Sequence, residues 1–283
     1  MNPTPHGEFE LPQLRFVPVD ALVPHEKHDE QRAQPLIQRM REQGVLKNPP
    51  IVSPLDAGGS RFVVLDGANR TTAARVAALP HLVVQVVDYD DESLELSTWH
   101  HALVGVEAER IRQLLDQVPG LSVSAETPLH AHALLARREA IALFDADHET
   151  LVLQGGGSLH ERTELLNSVV DLYRGRARFH RVTGDTLAGA RKRFPEASAL
   201  VVFPSFEKAE ILELATDGAR LPAGITRHLI PWRALRLNVP LDRLADENRS
   251  LAEKDQWLAS WLQEKVIQRR VRFYQESTVV FDE

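Results

Sequence analysis

An α/β fold is predicted by three observations. Apolar runs of strand length, such as "FVVLD" and "LVVQVV", alternate with helical patterns. Gly, Pro, Asn and Asp separate them at short intervals. With 43% of 283 residues apolar, the chain can also build two cores. The alternation occupies the first hundred residues and resumes after residue 140, which predicts one unit over 1–104 and a second α/β unit over 105–283.

Taken in order, "RFVPVDALVP" reads as a short strand and turn. "AQPLIQRMREQG" reads as a helix with Pro35 early and Gly44 as its stop. "NPPIVSP" is a short extended piece, "SRFVVLDG" a strand, "ANRTTAARVAAL" a helix and "LVVQVVDY" a second buried strand. Residues 91–117, with Trp99, His100 and His101, fit helical periodicity, and "VPGLSVSAETP" fits a turn-rich connection. Beyond it, "AIALF" and "TLVLQ" flank the turn "DADHE" as a hairpin. "LHERTELLNSVVDLY" is a helix, "ASALVVFPSF" holds a buried strand, and a long helix covers residues 246–269. "RVRFYQESTVVFDE" is β-rich and reads as an ordered closing strand. No internal repeat or low-complexity tract interrupts this pattern.

A formal charge of -7 disfavours a general binder of phosphate backbones, although "RGRARFHR" offers a local basic patch. Small ligands and no nucleic acid are therefore expected. No run approaches the roughly 20 apolar residues that span a bilayer. "MNPTPHGEFELP" has neither a basic nor an apolar signal segment, so a cytoplasmic location without membrane association is expected. The absence of Cys excludes disulfides and cysteine chemistry, leaving oxygen or His ligands for any metal. The twelve His residues show no HExxH or comparable spacing, and no zinc is assigned. "LVLQGGGSLHERT" is a strand, glycine turn and helix, but it lacks the Lys-Ser/Thr of a P-loop and reads as a plain turn.

The informative junction is "VLDGANRTTAARVAAL", residues 64–79. A strand that passes through Gly into a helix leaves backbone N–H groups unpaired at the positive end of the helix dipole, a site suited to phosphate. A plain helix start capped by Asp66 or Asn69 fits the same residues. Two further segments join it: "LVPHE" at 22–26 and "GITRHLIPWRAL" at 224–235. In this order, with Trp99 between the second and third, they resemble the free L-serine kinases of the ParB/sulfiredoxin-like superfamily. That resemblance implies a ParB/sulfiredoxin-like nucleotide-binding N-terminal domain, with the active site in the cleft between it and the C-terminal α/β domain. Sulfiredoxin chemistry itself needs a catalytic Cys that this chain lacks.

The resemblance also implies roles. Glu26 accepts the proton of the serine hydroxyl, and Asp66 serves Mg²⁺ or that hydroxyl. Gly67, Asn69, Arg70 and Thr71 hold the phosphates of ADP or ATP. Thr226, Arg227 and His228 hold the amino acid, and Trp99 closes one wall. A guanidinium suits a carboxylate because it can donate two parallel hydrogen bonds. From the residues alone, a solvated Glu26, a surface ion pair at Arg70 and a core Trp99 are the competing readings. Relatives commonly carry His where this chain has Asn69, which can donate to a phosphate oxygen but cannot carry charge or shuttle a proton. A ligand-binding pseudoenzyme is therefore one alternative. A ParB-like nucleotide-gated DNA-associated regulator, which calls for a helix-turn-helix after the first domain, is the other.

Overall fold

The computed structural model describes residues 11–28, 30–147 and 149–274. Its elements run β1 (Leu14–Pro18), β2 (Leu22–Pro24), α1 (Glu30–Gln43), β3 (Val45–Leu46), β4 (Ile51–Pro54), β5 (Phe62–Asp66), α2 (Ala68–Val76), β6 (His81–Val86), β7 (Glu95–Thr98) and β8 (His100–Val104). There follow α3 (Ala108–Leu115), β9 (Ser122–Glu126), α4 (Pro128–Ala136), β10 (Ala142–Ala146), β11 (Glu149–Gln154), α5 (Leu159–Tyr173), β12 (Arg178–Val182), α6 (Leu187–Arg191) and β13 (Ala197–Val202). The remainder comprises α7 (Lys208–Thr216), β14 (Thr226–Leu229), β15 (Val239–Pro240), α8 (Leu241–Ala245) and α9 (Leu251–Ile267). The fold is α/β, as the strand and helix periods predict.

Two sheets organise the molecule. The first is mixed, with order β1-β6-β4-β5-β2 and parallel pairing at β2/β5 and β4/β6. The second, β12-β8-β13-β10-β11-β9, is antiparallel throughout. Side chains alternate across a strand, so one apolar run can serve two cores. In β5, Phe62 and Val64 join the core beneath α2 and α9, while Val63 and Leu65 face the core shared with the second sheet. In β13, Ala199 and Val201 face that shared core, and Leu200 and Val202 face α4 and α6. The shared core, which also contains Leu221 and Ile225, couples both sheets to the loop before β14.

Several expected elements change. The expected helical stretch 91–117 is instead β7 and β8, with helix confined to α3. "HHALV" is buried throughout because β8 is an interior strand covered on both faces, and such a run has no readable period. His100 and His101 consequently point to opposite faces. The expected turn-rich connection contains β9, a half-exposed strand that pairs with β11 at the edge of its sheet among the described residues, so its polarity hid it. Sheet membership changes between β6 and β8, ahead of residue 104, and α8 and α9 return to the first sheet's core through Leu244 and Leu258. The expected closing strand in "RVRFYQESTVVFDE" falls largely outside the described residues.

Candidate active site

The first wall is the end of β5. Gly67 caps α2 with a φ of 102°, and a Cβ there would lie 3.0 Å from both Cα and Cβ of Pro50. Only Gly meets both demands. Gly67, Ala68, Asn69 and Arg70 line the cleft, and the first amides of a helix have no partner within it. Arg70 donates through Nη1 to the carbonyls of Asn48 (3.0 Å) and Pro49 (2.9 Å), and through Nη2 to Asp66 Oδ2 (2.8 Å). Arg233, from the loop after β14, donates to the same Asp66 oxygen. Burial acts to raise the Asp66 pKa, but Arg70 and Arg233 outweigh it and hold the carboxyl below its ordinary value.

Asn69 also lines the cleft. Thr71 does not. It is fully buried on the inner face of α2, its N–H donates to Gly67 O (2.9 Å), and its Oγ1 finds no hydrogen-bond partner among the described residues. The expected phosphate contact from Thr71 is therefore corrected: the helix turns its side chain into the core.

The second wall faces Glu26. Its carboxylate accepts from the amides of Gly224 (2.7 Å), Ile225 (3.2 Å) and Thr226 (2.7 Å), and from the Thr226 hydroxyl. Glu26 is thus not the solvated loop residue that "PHEKHDE" suggests. The preceding His25 is buried, with Nδ1 2.7 Å from Val64 O and Nε2 2.8 Å from Thr226 Oγ1. Burial lowers its pKa, against Glu26 and Asp66, which raise it.

Gly224 is secured from below. His101 Nε2 donates to its carbonyl (3.2 Å), while His101 Nδ1 pairs with the Tyr173 hydroxyl (2.7 Å). Burial lowers the His101 pKa to about 3, keeping it neutral. Arg181 from β12 lies flat over Gly224: a Cβ there would meet its guanidinium at 2.1 to 2.4 Å.

Trp99 follows β7, and its N–H donates to Ile225 O (2.8 Å). Pairing of β7 with β14 sets Arg227 beside it, with the guanidinium 4.6 Å from the indole centroid. Trp99 is a half-buried cleft wall rather than a core residue. His228 is buried, with Nε2 2.8 Å from the Tyr89 hydroxyl, and burial followed by the neighbouring His25 lowers its pKa to about 3. It offers the cleft a neutral ring.

These residues enclose a cleft of about 930 Å³ between the two sheets. Lys27, Arg39, Lys47, Arg70, Arg181, Arg227 and Arg233 line it against two carboxylates, Glu26 and Asp66. The cleft therefore inverts the sign of the whole molecule and suits a polyanion. Asp66 Oδ1 makes none of the Arg70 and Arg233 contacts, which fall on Oδ2. One carboxylate beside a phosphate site fits Mg²⁺, which takes few protein ligands and several phosphate or water oxygens. Among the described residues no cluster of three His, Cys, Asp or Glu could hold a metal by itself.

Sequence reasoning missed Arg233, Arg181, His25 and the His101–Gly224 support. Arg181 lies within the basic stretch "RGRARFHR", the one signal that pointed to it. The glycine turn at 155–157 is also settled. Glu161 accepts from the amides of Gly157 (2.7 Å) and Ser158 (2.9 Å), so a carboxylate occupies the place a phosphate would need.

No protein-family model matches the chain. It is 25% identical over 237 residues to an ATP-dependent L-serine kinase of Staphylothermus marinus, covering 81% of this chain and 90% of that protein. It is 27% identical over 252 residues to the ATP-dependent L-serine kinase SbnI of Staphylococcus aureus, covering 87% and 90%. An ADP-dependent L-serine kinase of Thermococcus kodakarensis is 21% identical over 231 residues, covering 81% and 92%. The fold resembles that of a free serine kinase solved with AMP, at a TM-score of 0.72 and 19% identity, covering 86% of this chain and 98% of that one. Shared sequence over most of both chains and a shared fold make this protein similar to the free L-serine kinases.

Proposed function

We propose that this protein transfers a phosphoryl group from ATP or ADP to the hydroxyl of free L-serine, giving O-phospho-L-serine. One observation carries the reading. A single basic cleft joins a strand–Gly–helix anion site to a wall bearing a carboxylate, an arginine and an indole, the groups that a nucleotide and a free amino acid require.

In this reading the donor phosphates lie against the amides that open α2, with Asn69 and Arg70 beside them. The surrounding cations neutralise charge that builds on the transferred group. Glu26 takes the hydroxyl proton as the serine oxygen attacks phosphorus. Arg227, stacked on Trp99, grips the substrate carboxylate as a fork, and Thr226 and His228 shape the rest of the amino-acid pocket. Mg²⁺, held by Asp66 and the phosphates, would supply further charge neutralisation at the transferred group. Asn69 leaves the phosphate site one potential positive charge short of the usual His. Arg233, paired with Asp66, supplies a guanidinium nearby, which favours an active enzyme over a pseudoenzyme.

The division expected at residue 104 is proposed with one adjustment, that β8 goes with the second lobe. The strands β7 and β8 after the first sheet disfavour the DNA-associated alternative, which calls for a helix-turn-helix there. Among the described residues no helix is long and apolar enough to cross a membrane, and a cytoplasmic site of action belongs to this proposal. Incubation with L-serine, Mg²⁺ and ATP or ADP separately, with phosphoserine detected by mass, tests it. Product with either donor is expected, and none with both would overturn the reading.

A further inference from the structure

We infer that Glu26, the Thr226 hydroxyl and His25 form a proton relay that carries the substrate's proton away from the reacting phosphorus to His25 Nε2. This rests on the reading of Glu26 as the proton acceptor.

Val64 O, 2.7 Å from His25 Nδ1, can only accept, so Nδ1 carries a hydrogen in every protonation state. Nε2 is then the atom that faces Thr226 Oγ1 at 2.8 Å, and the same oxygen also hydrogen-bonds Glu26 Oε1. A hydroxyl has one hydrogen, whereas a neutral Nε2 and an ionised carboxylate are both acceptors. Both contacts are made together only when the chain holds one further proton. On Glu26, that proton points to Oγ1, whose own hydrogen goes to Nε2. On His25, Nε2–H points to Oγ1, whose hydrogen goes to Oε1. Two proton shifts interconvert these forms with no movement of heavy atoms.

With the proton on His25, the Glu26 carboxylate accepts from Thr226 Oγ1 as well as from the three backbone amides. The other titratable groups facing His25 are Asp66, at the end of β5, and His228 on β14, whose ring lies edge-to-face at 5.3 Å. In turnover the serine oxygen bonds to phosphorus as the bond from phosphorus to the nucleotide oxygen breaks, and the nucleotide leaves with that electron pair. The serine proton passes to Glu26, and the relay returns Glu26 to a carboxylate while His25 becomes imidazolium.

The test is a set of pH profiles of kcat for phosphoserine formation by the full chain and by Glu26→Gln, His25→Gln, Thr226→Val and Thr226→Ser, with nucleotide Kd and melting temperature on each preparation. Gln at 25 keeps an acceptor for Thr226 but cannot hold the proton, and Val at 226 removes the hydroxyl at constant shape. Both should lower kcat by about 10²-fold, the lower end of general acid–base effects, and displace the acid limb of the profile. Nucleotide Kd should be unchanged, and Thr226→Ser should keep the wild-type acid limb. Should His25→Gln lose its fold, Thr226→Val decides. Acid limbs and kcat values in Thr226→Val and His25→Gln that match wild type, alongside an inactive Glu26→Gln, would overturn the relay and leave the base. A fully active Glu26→Gln would instead overturn the base reading itself.

Discussion

Asp66 carries guanidiniums from two directions on one oxygen, and its carboxyl titrates below the ordinary range as a result. The sign of the pH effect follows. An unfolded chain takes up this proton near the ordinary value of 3.8, before the folded chain does. The stability contributed by the pair is therefore complete at neutral pH and is lost as pH falls from that value through the folded one. Urea midpoints of wild type and Asp66→Asn should differ at pH 7 and converge in acid, and a constant difference across that range would contradict the pairing. On the opposite wall, Lys at 227 keeps the charge but loses both the fork and the stacking on Trp99. Arg227→Lys should raise the serine KM at least tenfold, about 1.4 kcal/mol of lost carboxylate binding, with nucleotide Kd and melting temperature nearly unchanged. Equal losses in both ligands and in melting temperature would show that Arg227 braces the turn instead.

At the scale of elements, the junction of β5 and α2 was legible because strand, Gly and helix are contiguous in "VLDGANRT". What the quoted residues could not show was rotation. Successive helical residues turn by about 100°, so Arg70 reaches back to Asp66 while Thr71 enters the core. Arg233 comes to the cleft from a loop without any motif, and Arg181, marked in the sequence only by its basic stretch, is brought there by an edge strand. β8 escaped detection because an interior strand buried on both faces has no alternation to read. Gly67 binds these elements together. Gly67→Ala places a side chain at φ 102° against Pro50, and such backbone strain costs on the order of 1–3 kcal/mol. It should lower the melting temperature and weaken nucleotide binding together. An unaltered melting curve would mean that the turn is not strained as described.

Across the whole molecule the net charge is -7, yet one cleft gathers seven Lys and Arg side chains around two carboxylates. A nucleotide approaches an acidic surface and binds in a basic concavity, so its affinity should fall as salt rises, by screening of the lining cations. Titrations of nucleotide at about 0.05 and about 0.5 M salt check this, since the Debye length contracts over that range from above about 10 Å to a few ångströms. Lys47→Glu, at the rim of the cleft, should reduce both the affinity and its salt dependence while leaving the melting temperature in place. Salt-independent binding would place the nucleotide elsewhere. The sheets that hold the two walls share one core, which joins the two sides of the cleft.

Phosphorus NMR of a single reaction follows the transfer of a phosphoryl group onto serine in this cleft. With L-serine, Mg²⁺ and the donor, wild type should show an O-phosphoserine resonance growing in step with loss of the donor's terminal phosphate. Glu26→Gln, still able to bind nucleotide, should slow that growth by about 10²-fold or more, the scale of general-base catalysis. A protein that binds nucleotide tightly yet yields no phosphoserine from ATP or from ADP would contradict the account.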